Sequence, residues 1–322
     1  MSLTRRQALD FLQTDDLIGL GMEADAVRRR LHPEGVVTYT LDRSILCTNG
    51  HSLNSKAGGA SRFPDPDGIY REIAAVVERG GTGVLLQGGI DSGLKMEWFV
   101  QLLQGAKQRF PQVWLQGFPA PEILAMTRYD GLSVQNVIAR LRDAGLDSIP
   151  GDGAGTGCSV DEWLEVHRTA HRLGMRTAAA MSFGINDSFE QRLDFLEKIR
   201  QLQNDTGGFT AFIPKSLSPA NGAATVHGRD EATAVESLKM LAIGRLCLEN
   251  VENMQSDLAT QGLKVLQLGL RFGGNDAGAV MPENSVAATS VRTTEEELRR
   301  VIRDAGFKPV QRDTLYRTMF LN

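Results

Sequence analysis

The sequence predicts an α/β chain that folds as a closed (β/α)8 TIM-type barrel, with helices before it and a helical extension after it. Three observations predict this. From about residue 35, short β-rich apolar runs alternate with longer stretches of helical period, the pattern of repeated βα units. Helical stretches end on glycine, as in Ala144-Gly145-Leu146 and Leu173-Gly174-Met175, which suits tight returns to the next strand. The 322 residues, 42% hydrophobic and 23% charged, allow one large core with ordinary globular balance.

In order, Arg6 to Leu12 and Met22 to Leu31 read as helices outside the barrel, within a leading segment 1–34. The strand series opens with Val36-Val37-Thr38-Tyr39-Thr40 and continues with Gly83 to Gly89 and Val113 to Phe118. A weaker fourth run lies at Asp147 to Pro150, and Arg176 to Met181 and Phe209 to Pro214 give the fifth and sixth. Asn253 to Gln255 and Leu266 to Leu270 are assigned as the last two. Amphipathic helices fall between them at Glu97 to Arg109, Val134 to Ala144, Val160 to Leu173 and Ala232 to Asn250. Ser133 and Ser159 are N-cap candidates, the latter with Glu162 as its reciprocal partner. The barrel spans 35–292 on this reading, and 293–322 is a helix begun at Thr294 plus a tail. No Pro/Gly/Ser-rich linker interrupts the series, so a single barrel domain is expected.

Several function classes are disfavoured at once. A net charge of −4 and the lack of a basic patch point away from nucleic acid, and Arg28-Arg29-Arg30 reads as a solvated helix face. No apolar run approaches the roughly 20 residues of a membrane helix, so a cytoplasmic protein without a membrane partner is expected. There is no phosphate-cradling G-x-x-x-x-G-K-[ST] loop. Cys47, Cys158 and Cys247 are scattered and odd in number, which argues against a disulfide framework. Homodimerisation is left open.

A barrel carries its site at the C-terminal ends of its strands. That rule selects Gln87, Gln116, Asp152, Ser182, Lys215, Asn275 and Asp276, with the glycine clusters Gly88-Gly89, Gly151 to Gly155 and Gly273-Gly274 beside them. A lysine at a strand end among apolar residues can have its pKa lowered and act as a base or Schiff-base former, so Lys215 is a catalytic candidate. The plainer alternative is a lysine that buries its stem and keeps its ammonium wet. Cys47 and His51 stand four apart but would need further ligands to hold zinc or iron. His167 and His171 share a helix face that lies outside the barrel, so packing or surface roles are expected of them.

Several segments carry a more specific signal. They are Gly35-Val36-Val37 through Asp42-Arg43 with Thr48-Asn49, Leu85-Leu86-Gln87-Gly88-Gly89, Ala144 through Gly151, Gln203 through Pro214, Arg271 through Asp276, and Ala305 through Asp313. In this order they resemble the radical S-adenosylmethionine enzymes of menaquinone (futalosine pathway) and deazaflavin biosynthesis, and most of all the dehypoxanthine futalosine cyclases. The resemblance implies a radical-enzyme barrel with a pocket at its mouth. Through it Asp276 and Glu283 match acidic positions of a C-terminal pocket, as ribose ligands or general bases. The family also places C-x3-C-x2-C after its first strand, since three thiolates ligate three irons and leave the fourth for S-adenosylmethionine. In register this chain has His51, Ser55 and Gly58. A family glutamate after the fourth strand is Gly155 here, its Asn-Pro after the glycine pair is Asp91-Ser92, and a tryptophan after the sixth strand is Lys215.

From these departures the sequence reading expects no cofactor: neither a [4Fe-4S] cluster nor S-adenosylmethionine. It expects a degenerate paralogue of the cyclase that keeps a pocket for a small molecule, a futalosine-derived nucleoside, bound by Gln87, Gly88, Gly89, Gln116, Asp152, Ser182 and Asn275. The competing reading is a repurposed non-radical enzyme using Lys215, Asp276 and Glu283. An active radical enzyme with atypical cluster ligation ranks last. Whether the chain is an enzyme stays open at this stage.

Overall fold

The computed structural model describes residues 3–47, 65–88, 94–184, 187–217, 232–280 and 293–318. Two helices lead, α1 (Arg5–Gln13) and α2 (Leu17–Leu31). Then come β1 (Val36–Leu46), α3 (Pro66–Glu78), β2 (Gly83–Gln87), α4 (Met96–Arg109), β3 (Trp114–Gly117), α5 (Ala120–Asp130), α6 (Val134–Asp143) and α7 (Val160–Arg172). The second half runs β4 (Thr177–Phe183), α8 (Phe189–Thr206), β5 (Phe209–Ser216), α9 (Ala234–Cys247), β6 (Asn253–Met254), α10 (Leu258–Gly269), β7 (Asp276–Val280), α11 (Glu295–Asp304) and β8 (Lys308–Gln311). The helices start where the sequence offers side-chain acceptors. Ser159 caps α7 and Glu162 reaches back to its amide, while Ser133 and Thr294 cap α6 and α11.

All strand pairs are parallel. One sheet runs β3-β2-β1-β7 and another β4-β5-β6. Short contacts join them into a ring. Gln116 bridges Ser148, the Ala180 amide donates to Gly151 O, and Gln255 bridges Asp276. The second half of β1 pairs β2 while its first half pairs β8, so β8 continues beneath β2 along one edge of β1.

Three assignments change. The fourth run, Asp147 to Pro150, supplies only the Ser148 bridge, since Pro150 has no amide to donate to a ladder. Leu266 to Leu270 is not a strand. It belongs to α10, capped by Asp257, and its buried Leu266 and Leu270 pack at helical spacing against α11 and β7. The strand that closes the ring is Asp276–Val280, whose Asp-Ala-Gly-Ala-Val has no β-branched residue until its end and so gives no strand signal. The tail also contributes a strand, β8, because Lys308-Pro309-Val310-Gln311 finds β1 rather than solvent.

Outside the ring the strands bury Ile45, Val84, Leu86, Leu115, Ala179, Met181, Phe212 and Met254 against helices. Val37, Tyr39, Leu41, Ala277 and Val280 do the same against Leu266, Leu298 and Ile302. Side chains alternate along a strand, so the residues between these point into the lumen. They include Thr38, Thr40, Asp42 and Ser44 from β1, Leu85 and Gln87 from β2, Gln116 from β3, Ser182 from β4, Ile213 and Lys215 from β5, and Asp276 from β7. These inward positions mix polar side chains with the apolar Leu85 and Ile213.

Candidate functional site at the barrel mouth

The C-terminal ends of β1, β2 and β3 carry one half of the site. Ser44 Oγ donates to Gln87 Oε1 at 2.8 Å, joining a lumen position near the end of β1 to the last one of β2. The Gly88 amide donates to Glu122 Oε2 at 2.8 Å. Glu122 stands in the first turn of α5, reached after Phe118 adopts φ +58° at the end of β3. A Cβ at residue 88 would lie 3.3 Å from Glu122 Oε2 and 3.4 Å from Phe99, so glycine makes room for the carboxyl there. Burial pushes the Glu122 carboxyl up to about 7, against a smaller opposing effect of the Gly88 amide. Half-buried Gln116 faces the same lumen.

β4 and β5 carry the other half. Lys215 Nζ donates to Asp152 Oδ1 at 2.7 Å, and Ser182 is the register partner of Lys215. Burial pulls the Lys215 pKa down, but Asp152 and Asp257 outweigh it and the net shift is upward. The lysine is therefore held charged. The lowered pKa expected of Lys215 is thus replaced by a raised one, since two carboxylates stabilise the ammonium. Behind Lys215 a small cavity is lined by Ser216, Ser237, Gln255, Asp257 and Gln261.

Asn275 and Asp276 sit elsewhere than a ligand needs. Asn275 Oδ1 accepts from Arg245 at 2.7 Å and from the Met254 amide at 2.8 Å, and its Nδ2 donates to Asn253. Asp276 is fully buried, with Thr38 Oγ1 on Oδ2 at 2.6 Å, the Gly278 amide on Oδ1, and the Arg312 guanidinium on both oxygens. Their polar atoms are taken up in closing β6, β7 and β1, so both are corrected to wall residues. Gly89, Glu283, His51, Ser55 and Gly58 lie outside the described residues.

Sequence reasoning missed Glu122. Its signal was available in Pro119-Ala120-Pro121-Glu122, an acidic residue in the first turn after a strand end. It also missed Ser44 and Arg312, whose partners are more than thirty positions away.

His167 and His171 pack. His167 Nδ1 and His171 Nε2 each lie 2.8 Å from Thr177 Oγ1, and His171 Nδ1 lies 2.7 Å from Thr206 Oγ1. Burial lowers both imidazoles, that of His171 to about 4.

The three thiols stand on separate elements. Cys47 follows β1 with its Sγ toward Ile45 O, Cys158 precedes α7, and Cys247 ends α9. Burial raises all three, Cys158 to about 11 and Cys247 to about 12. This donor set does not fit a three-thiolate cluster. Among the described residues no group of three or more His, Cys, Asp or Glu side chains is placed to share a metal ion. None of the described helices is long and apolar enough to cross a membrane.

The family described as CofH/MqnC C-terminal region matches residues 206–321. The cyclic dehypoxanthine futalosine synthase of Streptomyces coelicolor is 35% identical, covering 98% of this chain and 85% of the relative. That of Halalkalibacterium halodurans is 31% identical, covering 98% and 90%. Among solved structures, methylornithine synthase (PylB) superposes with a TM-score of 0.72 over 96% of this chain and 94% of that one. At 18% identity that likeness speaks for the barrel fold alone. The expectation of no cofactor is overturned here. The relatives are radical S-adenosylmethionine enzymes, which use a [4Fe-4S] cluster and S-adenosylmethionine, and these are the cofactors that the family implies. Likeness over nearly its whole length thus places the chain in the CofH/MqnC family, with the cyclic dehypoxanthine futalosine synthases and related radical S-adenosylmethionine enzymes.

Proposed function

We propose that this chain is a diverged paralogue of the futalosine cyclases that binds a nucleoside-like intermediate of menaquinone biosynthesis at the barrel mouth, holding it by side chains of the strand ends. The observation that carries this reading is the ring of polar groups around the lumen: Ser44 with Gln87, Gly88 with Glu122, and Lys215 with Asp152. Such a set supplies what a sugar-bearing ligand needs, acceptors for its hydroxyls and a fixed cationic donor for its oxygens. The divergence lies at His51, Ser55 and Gly58, where the resemblance places cysteines.

The chain's own residues have definite tasks in this reading. Lys215 orients a ligand oxygen as a charged donor. Glu122, poised near pH 7, holds or releases a proton at the ligand's edge, as a group matched to neutral pH does. Gln87 is kept in place by Ser44, which donates to its Oε1.

Calorimetric titration with dehypoxanthine futalosine tests the reading. Binding by the protein as isolated is expected, with a loss of about tenfold in Lys215→Ala, the scale of one charge-assisted hydrogen bond. Absence of binding, or affinity unchanged in Lys215→Ala, contradicts the proposal.

A further inference from the structure

We propose that Thr40 and Asp42, on the lumen face of β1, form the floor of the mouth cavity and receive a ligand end bearing uncharged hydrogen-bond donors, a ring N–H or a hydroxyl, in preference to a phosphate or carboxylate. This deepens the proposed function and rests on its reading of the mouth as a binding cavity.

The floor is incomplete as it stands. Thr40 is 3% exposed, and its Oγ1 is buried without a hydrogen-bond partner among the described residues. Asp42 Oδ1 is in the same condition. Thr40 and the Gly83 amide are close enough to stabilise the carboxylate, yet Thr40 Oγ1 and Asp42 Oδ1 complete no well-formed bond among the described residues. Leaving such a group unmade costs about 1–3 kcal/mol, so a native fold keeps it where something else fills the gap. A ligand donor aimed down the lumen would do so.

Neighbouring groups set the sign of that ligand. Arg312 is the cation at this level, but its Nε and Nη2 donate to the two oxygens of Asp276 and its Nη1 to Asp313 O. Asp42 therefore lacks a hydrogen-bonded cation of its own. Burial pushes its carboxyl up, with Thr40 and Arg312 opposing the shift. An anion placed beside it would face an unpaired carboxylate at short range in a poorly solvated lumen, whereas a neutral donor would complete it. Opposite Asp42 in register stands Gly83, where a Cβ would come within 2.8 Å of Asp42 Oδ1 and 3.1 Å of Thr314 Oγ1. The carboxylate thus occupies space left by the glycine.

A matched pair of fragments separates donor recognition from shape. Crystals are soaked with uracil, which carries two ring N–H groups, with 1,3-dimethyluracil, which carries none, and with inorganic phosphate. The expected result is uracil within hydrogen-bonding distance of Thr40 Oγ1 or Asp42, with the floor free of the other two. Phosphate at the floor, equal occupancy by dimethyluracil, or no uracil there overturns the inference, whatever the outcome with dehypoxanthine futalosine. That titration alone decides the proposed function.

Two variants sharpen the test. Thr40→Val is expected to leave the thermal midpoint unchanged or raised, since it removes an unmet hydroxyl, while weakening uracil about tenfold. Asp42→Asn keeps an acceptor but removes the charge, so it is expected to admit phosphate. A lowered midpoint in Thr40→Val with unaltered uracil affinity would assign the hydroxyl a purely structural role and contradict the inference.

Discussion

Glu122 owes its chemistry to where the fold places it. Its carboxyl rises from 4.5 to about 7 because α5 brings it into the wall beside Phe99 and Phe118. A raised carboxyl binds its proton more tightly in the folded chain, so the stability it contributes is complete below about pH 4.5 and is lost as pH rises through about 7. Glu122→Gln is expected to remove that slope, measured by thermal melts between pH 5 and roughly 8, and to raise the midpoint at the alkaline end. It is also expected to flatten any inflection near neutrality in ligand affinity. A variant that keeps the wild-type slope would show that the carboxyl titrates normally. Lys215 teaches the opposite lesson. Its position at a strand end was legible from the sequence, but its protonation was not, because Asp152 lies sixty-three positions away and only the closed ring brings it to 2.7 Å.

The joint between β7, β1 and the segment after β8 governs how the ring closes. Asp276 and Arg312 form a buried pair with side chains 0% and 5% exposed. Removing one partner strands the other, so Arg312→Met is expected to cost about 3–5 kcal/mol in denaturant unfolding. The double variant Asp276→Leu with Arg312→Met is expected to recover much of it, since a well-packed apolar pair avoids the desolvation of both charges. No recovery would mean that the pair supplies specific geometry that packing cannot replace.

The α7–β4 contact adds an acid-sensitive element. His167 and His171 are neutral around Thr177, and burial holds both imidazoles below 6.5, that of His171 at about 4. Protonation is thus resisted in the folded chain. Their contribution is complete above about pH 6.5 and falls as pH drops towards 4. His171→Gln is expected to lessen this acid sensitivity in melts across that window.

Helices at this scale were largely readable. Ser159 with Glu162 and Ser133 stand where the capping chemistry requires them, because a cap is decided within four residues. Strands were less so. Leu266 to Leu270 is apolar enough for either periodicity, and what makes it helical is packing on α11 and β7. Asp276–Val280 is a strand through its partners Gln255 and β1, which no local property of Asp-Ala-Gly-Ala-Val announces.

At the scale of the whole molecule, the alternation of apolar runs and helical stretches was enough to state a βα barrel, and the ordered family segments were enough to place it among radical S-adenosylmethionine enzymes. The rule that the site lies at the strand ends selected Gln87, Gln116, Asp152, Ser182 and Lys215, which the fold brings to the strand ends around the lumen. It also selected Asn275 and Asp276, which end the turn before β7 and begin that strand, so that they close the wall rather than line the mouth. Register explains the error: a strand placed ten residues too early moves its beginning to where its end was expected. Absent cysteines, likewise, speak of the donor set and not of the cofactors that the family implies, and that inference ran too far.

The central claim is that the lumen between Gln87, Glu122 and the Lys215–Asp152 pair is a ligand cavity. A crystal structure of the full chain grown with dehypoxanthine futalosine tests it most directly. The account predicts the nucleoside in the lumen, with an oxygen bonded to Lys215 Nζ and its hydroxyl-bearing end towards Thr40 and Asp42. Density for the ligand only on the outer surface, with the Lys215–Asp152 and Ser44–Gln87 contacts undisturbed and the lumen filled by water, would contradict it.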